Sequence, residues 1–397
     1  MRDSIKPRLG ESPVTSLQTF RSDGLPEPAE VKPLRKDEFY GLLSPDRESY
    51  RKEVDFGALP TLAALQFTGT AQAEFHARSA AATRAQFGSK VFVRAVVEVS
   101  NYCRENCHYC GMRRDNKTLD RYRARLDDLT ELLLNHRPAS ITDINFQAGE
   151  DPVATRAIVL PLLRTLAQET DLGLSVCLGT LSPALTDELH AAGATLYIIK
   201  FELADPELYH HLEAPGSLKE RTTHLRWLAE KGWQISSGFI AGLPGQTLEG
   251  VRDNFRLAAD LPLSGCSVSP FVPGEGTPTA LASGASVDLA LNCMAALRLM
   301  RPDWVIPAVS ALNLAGPGTG YRRGLRTGAN LCTINLTPEE VRGNYLLYKR
   351  DRFIMTEERI LEALAAEGLE ASRQSLAHYL ARPRRDGAPR QNDLVSA

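Results

Sequence analysis

From residue 91 onward the chain repeats one alternation: a short run rich in β-branched and aromatic residues, then a longer stretch in which apolar residues recur every three or four positions. The first pattern suits strands covered on both faces, and the second suits amphipathic helices packed against them. Strands are expected at VFVRAVVEVS (91–100), ITDINFQAG (141–149), GLSVCLG (173–179), TLYIIKFEL (195–203), WQISSGFIAGL (233–243), GCSVSPFV (265–272), WVIPAVSAL (304–312) and ANLCTIN (329–335). Helices between them carry their own punctuation, with Ser182 as an N-cap, Gly193 as a stop and another start at Ser286. Parallel strands need crossover helices, and eight such units can close on themselves. The expected fold class is therefore α/β, a complete (β/α)8 TIM-type barrel with an N-terminal helical extension and C-terminal helices.

The flanks differ from the barrel in pattern. Residues 1–34 carry prolines and charges without periodicity and read as an irregular arm. Residues 35–88 turn helical, with Ser44 (followed by Pro45) and Thr61 as candidate caps, and read as a helical extension. The barrel is placed at 89–340. Residues 341–397 are expected to form a helical segment with a basic end, in which Arg382, Arg384 and Arg385 read as solvated.

Composition narrows the partners. Hydrophobic residues make up 43% and charged residues 24% of the 397, as in a globular protein, and 46 basic against 48 acidic residues leave a net charge of −2. Nothing in that balance favours nucleic acid or an anionic membrane, so a small-molecule substrate is expected. The N-terminus MRDSIKPRLGESPVTS has no apolar centre, and no run approaches the roughly eighteen apolar residues a membrane span needs. Seven cysteines, an odd number, argue for a reducing compartment, and the expected location is the cytoplasm.

Three of those cysteines carry the chemistry. In VVEVSNYCRENCHYCGMRRDNKTLDRY, Cys103, Cys107 and Cys110 follow the first strand on one loop, at the end of a barrel where working residues collect. Three close thiolates can hold three irons of a four-iron four-sulfur cluster and leave the fourth iron open to a small molecule. Zinc is the runner-up, with His108 as its sole nearby fourth candidate, since a structural zinc site normally takes four ligands. Cys177, Cys266, Cys293 and Cys332 read as small buried residues.

The spacing CxxxCxxC, with Tyr109 before the last cysteine, resembles the signature of radical S-adenosylmethionine (SAM) enzymes. In that family the open iron chelates the methionine part of SAM, and an electron from the cluster cleaves SAM to methionine and a 5′-deoxyadenosyl radical. The resemblance implies one 4Fe-4S cluster on Cys103, Cys107 and Cys110, SAM, and an electron donor such as flavodoxin or ferredoxin. Downstream segments extend it. QAGEDP, with Ala148, Gly149 and Glu150, resembles the motif whose backbone meets the methionine amino group. GFIAGLPGQT resembles the segment whose residue matching Ile240 packs on adenine, as Tyr109 does from the cluster loop. Lys200 and Glu202, at i and i+2 on the fourth strand, are expected on one face, where they bind a zwitterion or hold the barrel shut. Arg221 matches an arginine directed at the SAM carboxylate.

Within the family, RRDNK, QAGEDP, GLPGQT, PFVPGEGTP, IPA and GAN resemble the HydE-type iron-only hydrogenase maturases, with methylornithine synthase and biotin synthase as neighbouring branches. Three departures stand out: Lys200-Phe201-Glu202 where the maturase has Arg-His-Glu, Thr180 where it has Glu, and Val309-Ser310 where it has two threonines. Ser236 stands where biotin synthase places a cysteine for its second cluster, which disfavours sulfur insertion. The expected activity is radical chemistry on a small molecule, with Ser310 as the candidate substrate contact on the seventh strand. A metallocofactor maturase and a non-catalytic metal-binding protein are the alternatives. Tyr345, Tyr348, Lys349 and Arg350 could close the top of the barrel or stand as a solvated basic stretch.

Overall fold

The computed structural model describes residues 59–350 and 352–382. The expected arm at 1–34, the Ser44 cap and Arg384 and Arg385 lie outside the described residues. Seven parallel strands form the sheet: β1 (Lys90–Ser100), β2 (Asp143–Ala148), β3 (Gly173–Cys177), β4 (Leu196–Ile198), β5 (Gln234–Ala241), β6 (Gly265–Pro270) and β7 (Leu331–Asn335), in the order β6-β5-β4-β3-β2-β1-β7. A two-residue strand, β8 (Glu370–Ala371), adds to the start of β1. The chain thus has an α/β fold with a parallel sheet curved around an interior, and helices on its outside.

The expected strand at 304–312 is corrected. Only two single bridges form there, Gly265 with Val305 and Pro307 with Leu331, and the chain then turns into the short helix Ala311–Ala315. Pro307 removes one amide donor from this segment, which interrupts the ladder there. The fourth strand is also shorter than expected. β4 stops at Ile198, and beyond it Glu202 makes one bridge to Phe239 at a positive φ of 67°.

Helix starts follow the side-chain acceptors in the sequence. Thr61, Ser182, Thr247, Ser286, Thr356 and Ser375 each cap an N-terminus with the side-chain oxygen. The helix Gly69–Phe87 packs on Val287–Met300, where buried Asn292 donates to the carbonyls of Leu65 and Phe67. The barrel is plugged at the N-terminal end of its strands. There Phe92, Leu196, Val305 and Leu331 meet Leu376, Tyr379 and Leu380 of the helix Leu376–Ala381 in one apolar cluster. Asp143 fixes that helix by accepting from the amides of Leu376 and Ala377 and the hydroxyl of Ser375. This cluster closes the interior at the strands' N-terminal end.

Candidate active site

At the strands' C-terminal end β1 runs into a loop that its own polar groups hold shut. Asn101 donates to the carbonyls of Asp120 and Asn344 and accepts from the amide of Tyr122, all at 2.7 Å. The Arg121 guanidinium gathers the carbonyls of Asn101, Met112 and Arg113 at 2.6–2.9 Å. The loop rests on the chain from Asn344 to Tyr348: Gly111 donates to the carbonyl of Leu347, and a Cβ at Gly111 would lie 2.6 Å from the carbonyl oxygen of Leu346. Tyr345 is buried and bonded to Gln147, and Tyr348 is half-buried and bonded to Ser269, whereas Lys349 and Arg350 are exposed. The two tyrosines therefore cover the interior, and the two cations face solvent.

Cys103, Cys107 and Cys110 share this loop. The Glu150 amide approaches the Cys103 sulfur at 3.4 Å, and backbone amides also meet Cys103 from Glu105 and Cys110 from Met112. Gly149 makes the first of these possible, because a Cβ there would sit 2.2 Å from the Tyr102 carbonyl oxygen and 2.8 Å from the Cys103 Cβ. The small-residue pair at 148–149 thus lets the end of β2 press on the cysteine loop. Burial pushes all three thiols up, Cys110 to about 12 and Cys107 well above its ordinary range, and neighbouring cysteines add to the shift at these two. Desolvated thiols that already accept backbone N–H groups suit ligation by iron, which takes the proton's place and makes thiolate the favoured form. This donor set fits the cluster. His108 is paired instead with Glu213 at 3.2 Å. Among the described residues no three His, Cys, Asp or Glu groups converge on a single ion.

Beside the loop, Tyr109 and Ile240 lie in one buried apolar cluster with Cys107, Leu203, Tyr209, Leu243 and Phe271. The Tyr109 hydroxyl finds no partner among the described residues. Glu202 and Arg221 both act electrostatically on Tyr109 and Cys107, so the structure brings Tyr109, Ile240, Glu202 and Arg221 to the cysteines.

The two acids expected at this rim are held in opposite ways. Glu150 is saturated: Oε1 accepts from the Thr180 amide at 3.0 Å and from Arg221 at 3.3 Å, and Oε2 pairs with Arg104 at 3.0 Å. Arg221 is buried on the helix Leu218–Glu230, not exposed, and also donates to the Thr180 hydroxyl. Burial opposes its charge, but Glu150 and Tyr209 outweigh that and hold the guanidinium protonated far above its ordinary range. For Glu150, burial outweighs Arg221 and Arg104 and the carboxyl is raised, yet three donors on its oxygens favour the ionised pair. The Glu202 carboxylate, in contrast, has no hydrogen-bond or ion-pair partner among the described residues, Lys200 included, although Lys200 and Arg221 lower its pKa against the larger effect of burial. Lys200 instead donates to Ser269 at 2.8 Å.

Two further readings change. Ser310 is exposed, in helical backbone (φ −58°), so strand alternation does not direct it into the interior. Cys266, Cys293 and Cys332 are buried as expected, but Cys177 is half-buried at the interior end of β3, near Lys200 and Arg94. Arg94, Arg104 and Arg121 were not singled out from the sequence. An arginine in the otherwise apolar run of β1 was the one available signal for Arg94, since charged groups are rarely buried without a purpose.

A family model described as the radical SAM superfamily matches residues 97–258. The chain is 33% identical over 265 residues to the [FeFe] hydrogenase maturase subunit HydE of Thermotoga maritima, covering 67% of this chain and 76% of that one. It is 28% identical over 297 residues to the 3-methylornithine synthase of Methanosarcina acetivorans, covering 73% and 82%. Among solved structures, methylornithine synthase superposes with a TM-score of 0.70 at 23% identity, over 78% of this chain and 92% of that one, a likeness of fold. No helix among the described residues is long and apolar enough to cross a membrane.

Proposed function

The chain belongs to the radical SAM superfamily and is a radical SAM enzyme acting on a small-molecule substrate; from that premise we propose that Cys103, Cys107 and Cys110 hold its one four-iron four-sulfur cluster and that SAM binds between this loop and Glu202. The observation that carries the reading is the loop itself: three desolvated thiols, two of them meeting backbone amides, at the end of the barrel opposite the plug. With SAM, the cluster supplies a 5′-deoxyadenosyl radical to the interior. The chain's residues do the rest. Tyr109 and Ile240 give the adenine an apolar wall, and the backbone at Ala148 and Gly149 borders the methionine end. Glu202 offers an acceptor to an ammonium group that no protein donor competes for. Glu150 and Arg221 act by holding Thr180 and the loop in place, not as ligands. The single bridges at Val305 and Pro307 supply the eighth member of a complete (β/α)8 ring, which keeps water and stray hydrogen donors from the radical.

The substrate is distinct from the maturase's, because Lys200 and Thr180 alter the polar groups at the rim and Arg and Lys are not interchangeable there. The enzyme works in the reducing cytoplasm, with a low-potential donor such as flavodoxin or ferredoxin. A HydE-type maturase role is the second reading, favoured by the 33% identity to that protein. Anaerobic reconstitution should load about four irons and four sulfides per chain, and reductant with SAM should yield 5′-deoxyadenosine. Unchanged iron content and visible absorption in Cys103→Ala, Cys107→Ala or Cys110→Ala would overturn the cluster assignment. Transfer of a cluster-precursor product to a hydrogenase would decide for the maturase.

A further inference from the structure

Below the cysteine loop the interior is polar, and two of its cations have no ion-pair partner among the described residues. The apolar plug contains Phe92 of β1, Leu196 of β4 and Leu331 of β7. Two residues further along the same strands, on the same face, come Arg94, Ile198 and Thr333, and Lys200 follows past the end of β4. Arg94 reaches across to β7, where its Nε donates to the Thr333 hydroxyl at 3.3 Å. Among the described residues that is its one hydrogen bond, and no carboxylate pairs with it. Burial lowers its pKa, with only distant relief from Cys177, Tyr321 and Asp143, and the last of these is already committed to the plug helix. Lys200 bonds Ser269 of β6. Because β5 lies between β4 and β6 in the sheet, and Gly238 of β5 carries no side chain there, this bond spans the concave side. Cys177 at the end of β3 is influenced by both cations, Lys200 first and Arg94 next, and burial still leaves it a thiol, raised to about 11.

The nearby acids are mostly spent. Glu98 is held by Arg352 at 2.7 Å and by Thr337, and Glu150 by its two arginines. Arg94 and Lys200 remain without an ion-pair partner among the described residues, and Glu202 and Asp143 act on them only from further off. An enclosed guanidinium without a counter-ion is costly, whereas one that meets a carboxylate forms two charge-assisted bonds in a planar fork.

We infer that the substrate is a small carboxylic acid whose carboxylate sits in the barrel interior between Arg94 and Lys200, above the plug and below the cysteine loop. The inference rests on the radical SAM reading of the site and adds the substrate's chemical class and its orientation: the acid group points down to Arg94, and the carbon that reacts lies above it, toward the cysteines. Thr333 keeps the guanidinium turned for this contact.

The test uses the full-length, cluster-loaded protein and acetate as the probe, with acetamide as its neutral counterpart, in a thermal-shift titration. Acetate should stabilise the protein at concentrations at least about tenfold lower than acetamide, a difference of roughly 1.4 kcal/mol. Arg94→Gln should abolish that preference, and Lys200→Gln should reduce it several-fold. Equal responses to acetate and acetamide, or an unchanged acetate response in Arg94→Gln, would show Arg94 to be a brace between β1 and β7 and overturn the inference. If Arg94→Gln does not fold, Arg94→Lys and Lys200→Gln are titrated in its place, and unchanged acetate response in both has the same meaning. Formation of 5′-deoxyadenosine by the wild type separates the two levels. SAM cleavage without carboxylate preference removes this inference alone, and absence of SAM cleavage removes the reading beneath it.

Discussion

Glu150 and Glu202 stand at the same rim, the first buried and the second half-buried, and are treated in opposite ways by the protein around them. Every acceptor site that matters on Glu150 is taken, by the Thr180 amide, Arg104 and Arg221. Glu202 sits in strained backbone at φ 67° with no partner for its carboxylate among the described residues. A non-glycine residue held in the left-handed region costs of order 1 kcal/mol or more, and an unpaired buried acid costs further. Such costs persist at sites that gain something when a ligand arrives. On the proposed reading the saturated carboxylate is part of the frame and the starved one part of the site. The interior repeats the contrast, with Glu98 and Arg352 paired and Arg94 unpaired.

The comparison breaks most visibly at the frame. Arg221→Ala leaves Glu150 buried with only its half-exposed partner Arg104, and should destabilise the fold by about 3–5 kcal/mol in denaturant titration. A loss below about 1 kcal/mol would mean that the pair is not structural. Next in size is Gly149→Ala. The added methyl meets a carbonyl oxygen at 2.2 Å that belongs to backbone and cannot swing away. We expect a loss of about 1–3 kcal/mol together with lowered iron content, because the displaced segment is the one that bears Cys103. Full iron occupancy in that variant would show that the loop does not depend on β2.

Glu202→Gln should act in the opposite sense on stability and function. Burial raises the Glu202 carboxyl above its value of 4.5 in the unfolded chain, so folding takes up a proton between the two values. The associated stability is present below the unfolded value and is lost as pH rises through the folded one. Glutamine removes the ionisation, so the variant should be more stable than the wild type by about 1 kcal/mol near pH 8, with the difference vanishing toward pH 4. SAM affinity should fall about tenfold with the cluster intact. A variant that is less stable at high pH and binds SAM normally would move Glu202 from the site to the frame.

How far the sequence carried this picture depends on whether the signal was local. The caps at Thr61, Ser182 and Ser286 and most of the β-branched runs are local, and the structure places them as expected. The adenine wall of Tyr109 and Ile240 followed from family resemblance and reappears as one apolar cluster. What the sequence hid are relations between distant segments. Glu150 and Arg221 looked like two ligands, because nothing in either segment reveals that they meet at 3.3 Å. Lys200 and Glu202 looked like a pair because strand alternation was assumed, and the early end of β4 separates them. Pro307 inside WVIPAVSAL was a local signal against a long strand there, outweighed in the reading by its apolar run.

The smallest expected effect belongs to Ser310, and it tests the same contrast where the site meets solvent. The residue precedes the helix Ala311–Ala315, its side chain makes no capping bond, and its carbonyl already accepts from the Asn313 amide at 3.0 Å. The hydroxyl therefore has no structural duty, and Ser310→Ala should change stability by less than about 0.5 kcal/mol. An exposed hydroxyl on a turn is also poorly placed to orient a substrate whose acid lies deep at Arg94. With a deuterated substrate, transfer of deuterium into 5′-deoxyadenosine should be the same in Ser310→Ala and wild type, and so should SAM cleavage. If transfer falls while SAM cleavage holds, the turn after Ala308 closes over the interior during turnover. Ser310 then joins Glu202 among the groups kept unpaired for a ligand.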